Sequence, residues 1–432
     1  MSELATKTIT ADNTMGSHKA AMFIMTIFQV TCLQYRKLFF VLLLMFAVCV
    51  CTAAGLAYWY RSGPDTRLQL QTTRLDVRVL LRNLEIPWDM DWASDGWIWF
   101  SEKKGKISRY RPDTGELQEI LMIDEVYQSV DNSGLHALAL HPEFPQVPYV
   151  YVHYTYALEH SRLVRFRFNP ASVTLEEKTV LLDKLPAHIT HNGSRIVFPP
   201  THDKLFLSLG DAHDPYAAQR LDKLSGKILR MNLDGSVPAD NPFPGSLVWS
   251  YGHRNPQGLV MVGNGRLYSS EHGEDTDDEL NVIEPGQNYG HPQVRGFCDT
   301  PEEIEYCQHH PVTTPLWAWS PTFAVAGIAY YDQAGIPEWQ NSILVTSLKN
   351  FNRNGGRRLQ VLKLNKAGDG VVEVKDYLVN TFGRLREVMV APDGRIFLFT
   401  SNRELNTHKP PIPYFGDDKL IMLQVSKRTT LH

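Results

Sequence analysis

Six times between Ile86 and Val425 the chain repeats one pattern: an apolar strand, a turn containing Asp, Gly, Asn or Pro, a second strand, a polar loop and a third strand. The units open at Ile86, Gly134, Ser194, Pro256, Ala326 and Leu385, at spacings of about 45–70 residues. A three-strand meander has two faces to bury and cannot bury them alone. Radial stacking of meanders covers both faces and leaves only short edges. The repeat therefore predicts an all-β fold, a six-bladed β-propeller over residues 75–432. A large β-sandwich would leave the recurrence unexplained. The run "LDVRVLLRNL" at 75–84 precedes the first unit and is expected to supply the outer strand that closes the ring. Few stretches keep a helical period beyond two turns, so long helices are not expected in this region.

The N-terminal part has a different character. A short polar segment at 1–37 leads into "LFFVLLLMFAVCVCTAAGLAYWY" at 38–60, which contains no charged residue. A bilayer-spanning helix needs about 20 apolar residues. Arg36 and Lys37 before the run, and Tyr58, Trp59 and Tyr60 at its end, predict a transmembrane helix with its N-terminus inside. The propeller would then face the periplasm or another extracytoplasmic space. The alternative is a signal helix cleaved near Gly55–Ala57, releasing a secreted protein. A linker at 61–74 would follow. Cys32, Cys49 and Cys51 lie in or near the apolar run, and the rest of the chain holds only Cys298 and Cys307. In an exported domain such a pair reads as a disulfide closing a short loop, with two free thiols as the alternative.

Polar clusters fall where a propeller would gather them. Asn132, His191–Arg195, His253–Gln257, Trp319–Pro321 and Arg384–Arg386 precede first strands. Gly210–Asp211, Glu271–Glu274 and Lys349 follow second strands. Turn chemistry alone accounts for any one of them. Together, Arg254, Lys349, Arg384 and Arg386 bring four cations to one channel mouth in a chain of net charge -4. That grouping calls for a polyanionic ligand, arginine being suited to bidentate contact with carboxylates. Neither the net charge nor any basic run suggests nucleic acid as a partner. The stretch "GEDTDDELNVIEPGQNYG" at 273–290 offers hard oxygen donors suited to calcium, a solvated acidic loop being the plainer reading. No zinc spacing, serine elbow or phosphate loop is present. A histidine at a channel mouth can serve as a general base near neutral pH.

The segments "HNGSRIVF", "LSGKILRMNLDGSVPADNPF", "WSYGHRNPQGL", "DELNVIEPGQNYGHP" and "LREVMVAPDGRIF" resemble the PQQ-dependent glucose/sorbosone dehydrogenases, especially the aldose sugar dehydrogenase branch. The resemblance covers about residues 80–430. It implies a PQQ- and calcium-dependent oxidoreductase that converts an aldose to its lactone. On this reading His191 is the base, and Gly193 and Ser194 are small enough to let a ligand approach. Arg254 and Asn255 contact the cofactor, and Arg254 also stabilises developing charge. Asn132 stands where the glucose enzymes have a Gln that touches the cofactor. Lys349, Arg384 and Arg386 hold the PQQ carboxylates, and the carbonyls of Gly273 and Glu274 bind the active-site calcium. Asp278 and Tyr289 fall where the family can bind a second calcium. Trp319 would line the substrate pocket, and Asp211, ending the "LGD" strand, is grouped with it. Thr190 replaces an acidic residue that precedes the base in some members, so another group must orient His191. His188 and His272 match no family site. The implied partners are a sugar substrate, an external electron acceptor and, through the helix, the membrane. The alternatives are a calcium-dependent lactonase or hydrolase, and a binding propeller without chemistry.

Overall fold

Each predicted unit forms an antiparallel sheet, and the innermost strands of the six sheets contact one another in a closed ring. In ring order these strands are Pro87–Trp92, Leu135–Leu140, Ile196–Val197, Pro256–Met261, Val325–Tyr331 and Leu385–Val390, opening blades 1 to 6. The structure, a computed structural model, describes residues 65–127, 132–349, 357–403 and 417–426. The apolar segment 38–60 and Cys32, Cys49 and Cys51 lie outside the described residues, so the anchor and signal readings concern sequence only. No described helix is long and apolar enough to cross a membrane.

The repeat predicts three strands per blade, and each blade has four or more. The additional outer strands have little apolar pattern to read, because their flanks face water. In Glu116–Met122, for example, only Ile120 is buried. Ring closure follows the sequence expectation: Arg74–Leu84 pairs antiparallel with Asp418–Val425, Leu75 lying opposite Val425. The expected linker at 61–74 needs correction. Thr66–Gln69 hydrogen-bonds to the closing strand as a fifth strand of blade 6, with Thr66 opposite Val77.

The core is not a single mass but six apolar slabs, one between each pair of neighbouring blades. Strand periodicity explains the arrangement, since successive side chains point to opposite faces. In "IWFSE", Trp99 packs toward blade 2, while Ile98 and Phe100 pack toward blade 6. In "IFLFT", Ile396 and Leu398 face blade 5, and Phe397 and Phe399 face blade 1. Both faces are buried, so these strands read as continuous apolar runs rather than alternating ones. One short helix, Pro301–His309, is started by a capping box between Thr300 and Glu303. Cys307, inside this helix, forms a disulfide with Cys298 just before it.

Strand direction sorts the loops. An inner strand starts at the same channel end where the second strand stops, so loops entering first strands and loops leaving second strands share one mouth. At the opposite mouth a chamber of about 490 Å³ lies among the inner strands. There Arg195 sits between two carboxylates, 3.0 Å from Asp89 and in ion-pair contact with Glu387, and all three are buried. Burial raises the pKa of both acids, and Arg195 opposes that shift.

Candidate active site

His191 and Asp211 arrive on loops of the same blade, and two glycines let these loops touch. A Cβ on Gly210 would lie 2.0 Å from the His191 carbonyl, and one on Gly193 would lie 2.7 Å from the Gly210 nitrogen. Gly193 also has φ 62, in the left-handed region that favours glycine. Its small size therefore serves loop-to-loop packing, not the approach of a ligand. Ser194 is buried, with its hydroxyl 2.8 Å from His153 Nδ1.

Asp211 is the group that orients the expected base. Its Oδ1 lies 2.9 Å from His191 Nδ1, and its Oδ2 lies 2.9 Å from His291 Nε2. Burial would raise the Asp211 pKa, but hydrogen bonds from His191 and His291 outweigh it and hold the carboxyl well below the usual range. An ionised Asp211 takes the proton-bearing Nδ1 of His191, which leaves Nε2 with the lone pair. The "LGD" motif marked Asp211 but not this task. His213, also unassigned from sequence, stacks on His191 with ring centroids 4.2 Å apart and planes at 23°. His188 packs against the His213 ring at 4.6 Å, as part of the wall around the base.

Around this pair lies a chamber of about 370 Å³ whose lining includes Asn132, Arg254, Asn255, Lys349, Arg384 and Arg386. Arg254 donates to the carbonyls of His272 (3.2 Å) and Gly273 (2.9 Å). Burial lowers its pKa, and Asp211, Glu274 and Glu271 counter that. Lys349 Nζ donates to Thr322 Oγ1 at 2.9 Å and to the Glu274 carbonyl at 3.4 Å. Arg384 donates to the carbonyls of Ser401 (2.9 Å) and Leu348 (3.1 Å). Arg386 lies 4.0 Å over the Trp88 ring and donates to Gln257 Oε1 at 3.1 Å. Gln257 donates in turn to Asn255 Oδ1, which also accepts the Gly193 N–H at 3.0 Å. Asn255 is thus an internal brace between loops, and Gln257, missed from sequence, links it to Arg386. The Asn132 carbonyl bonds to buried His136. Nε2 of His272 is buried with no hydrogen-bond partner among the described residues.

A second chamber of about 250 Å³ shares His191, His213, Arg254, His272, Gly273 and Glu274 with the first. It adds Asp211, Glu271, Asp277, Glu279 and Tyr289. Three expected site residues are committed to structure. Both Asp278 oxygens accept backbone N–H groups, Gly273 at 2.9 Å and Phe323 at 2.6 Å, so Asp278 fixes the loop that carries Gly273. Burial pushes its pKa up to about 6. The Tyr289 hydroxyl donates to the Val282 carbonyl at 2.6 Å, and its ring stacks on His253. Trp319 belongs to the slab between blades 4 and 5, its indole N–H donating to Gln360 at 2.6 Å. It lines neither chamber of this mouth, because the end of an outer strand lies far from the channel axis. Among the described residues, no group of three or more His, Cys, Asp or Glu is arranged to hold a metal ion.

A six-bladed ring with a histidine–aspartate pair beside clustered cations defines a narrow class of proteins. The profile of the Glucose / Sorbosone dehydrogenase family matches residues 84–408, and the chain belongs to that family. It is 35% identical over 269 residues to quinoprotein glucose dehydrogenase B of Acinetobacter calcoaceticus, a match spanning 55% of this chain and 56% of that relative. It is 28% identical over 343 residues to aldose sugar dehydrogenase YliI of Escherichia coli (strain K12), covering 76% of this chain and 90% of that one. Among solved structures, the PQQ-bound form of aldose sugar dehydrogenase from Streptomyces coelicolor matches with TM-score 0.68 and 32% identity, over 82% of this chain and 99% of that one.

Proposed function

We propose that this chain oxidises the anomeric hydroxyl of an aldose to a lactone, with PQQ and calcium held in the cation-lined chamber. The observation that carries this reading is the His191–Asp211 pair opening onto a chamber that also gathers Arg254, Lys349, Arg384 and Arg386. These residues suit a tricarboxylate, and buried His272 Nε2 offers a polar atom in need of a partner. The carbonyls of Gly273 and Glu274, already contacted by Arg254 and Lys349, are the oxygen donors that would hold calcium. When bound, PQQ supplies a two-electron acceptor and calcium a Lewis acid.

The chain's own part is proton handling and orientation. His191 Nε2 takes the proton of the anomeric hydroxyl, and Asp211 stabilises the imidazolium that results. The hydrogen bonds that depress its pKa favour the ionised form of Asp211. Arg254 directs positive charge into the same space and stabilises negative charge developing there. The Cys298–Cys307 disulfide supports an oxidising, extracytoplasmic setting, as the 38–60 segment suggests.

The test is reconstitution. Purified protein is titrated with PQQ and calcium, quinone absorbance is followed, and dye reduction is measured with a panel of aldoses. An absorbance shift with aldose-dependent dye reduction is expected. No quinone binding would sink the proposal.

A further inference from the structure

We propose that His213 determines substrate specificity by hydrogen-bonding the sugar hydroxyl next to the one that His191 deprotonates. This rests on the dehydrogenase reading above. The local backbone is unusual: Ala212 and His213 have φ values of 50° and 60°, two consecutive left-handed residues with no glycine. Such strain persists only where the surroundings enforce it. Here the His213 N–H donates to Asp211 Oδ1 at 2.9 Å, and the Ala212 N–H donates to the His191 carbonyl at 3.2 Å. The side chain is held as well. His213 Nε2 shares a hydrogen bond with Thr190 Oγ1, and its ring packs against both His191 and His188.

The outcome is an imidazole laid nearly parallel to the base, lining both chambers. Three of its polar or ring contacts are used to fix it, and one polar atom is left over. No described residue hydrogen-bonds His213 Nδ1. If the Thr190 hydroxyl donates to Nε2, then Nδ1 is a donor; if it accepts, Nδ1 is an acceptor. A sugar hydroxyl satisfies either case, since it both donates and accepts. Partial burial and the neighbouring His191 and His188 lower the His213 pKa, which keeps the ring neutral at pH 7. Adjacent carbons of a pyranose carry adjacent hydroxyls. A ring stacked on the base therefore meets the neighbour of the hydroxyl the base engages. A substrate that carries the neighbouring hydroxyl gains this hydrogen bond, and one that lacks it does not.

The experiment compares kcat/KM for an aldose and its 2-deoxy counterpart, using the full chain loaded with PQQ and calcium. The wild type should prefer the aldose by about 10-fold or more. His213→Phe keeps the stacked plate and removes the polar edge, so the ratio should fall toward one, the aldose losing more than the analogue. Thr190→Val leaves His213 in place but unanchored, and should give an intermediate ratio. This second variant serves if His213→Phe does not fold. A second readout is NMR of the cofactor-free chain. The His213 Cε1–H resonance should move on titration with the aldose and much less with the 2-deoxy sugar. An unchanged ratio in both variants, or equal NMR shifts with the two sugars, would overturn the assignment. A wild type that neither binds PQQ nor oxidises any aldose would instead sink the underlying dehydrogenase reading.

Discussion

At the far mouth of the channel Arg195 is clamped between Asp89 and Glu387, while at the near mouth Arg254, Lys349 and Arg384 are aimed by backbone carbonyls and a hydroxyl. Both mouths are built on the same six inner strands. The far-mouth contacts match a cation to the fold's own carboxylates. The near-mouth hydrogen bonds to carbonyls and a hydroxyl fix the direction of each side chain. His191 and Arg195 stand in one short segment, "HNGSR", yet one lines the near-mouth chamber and the other joins blades 1, 3 and 6. An arginine near a functional motif is thus not evidence of a ligand until its partners are known.

The largest expected effect lies at the near mouth. His191→Ala should lower turnover by about 10³-fold while PQQ still binds, as steady-state rates and quinone absorbance would report. Loss of binding instead would make His191 a cofactor residue. At the far mouth, Arg195→Met leaves two buried acids without their cation. It should cost about 3–5 kcal/mol of stability in urea unfolding. Quinone affinity per folded molecule should be unaltered, and a specific loss there would erase the distinction between the mouths.

Asp211→Asn should lower kcat by about 10²-fold in steady-state rates, since the expected base loses the carboxylate that orients it. The linked stability has a definite sign. Asp211 has a depressed pKa in the fold, so its contribution is present above the unfolded value of about 4 and is lost as pH falls through the folded one. The Asn variant should lack that acid-side loss. Arg384→Ala should weaken PQQ binding by about 10- to 100-fold, with turnover remaining at saturation. The smallest effect is expected from Asp91, in the far chamber. Burial raises its pKa to about 6, so its contribution is present at pH 4 and lost as pH rises through 6. Melting curves of Asp91→Asn should gain on the wild type between pH 5 and pH 8.

The blade count and the closing strand were legible in the sequence because inner strands buried on both faces leave dense apolar runs. Outer strands such as Glu116–Met122 were not, since their flanks are solvated. Near-mouth residues were legible as clusters at fixed places in the repeat. What escaped were partnerships across loops. His291 reaches Asp211 from 80 positions away, and Gln257 reaches Arg386 from 129 away. Trp319 misled for a related reason: its place in the chain precedes a blade, but its side chain faces a slab.

The composite sixth blade ties the order of synthesis to the order of use. Arg74–Leu84 is made early and must wait for Asp418–Val425, more than three hundred residues later, before its sheet exists. Arg384 and Arg386 ride on that same sheet. This wall of the near-mouth chamber is therefore finished only when the ring is, and a nascent or truncated chain should lack it until the propeller has closed.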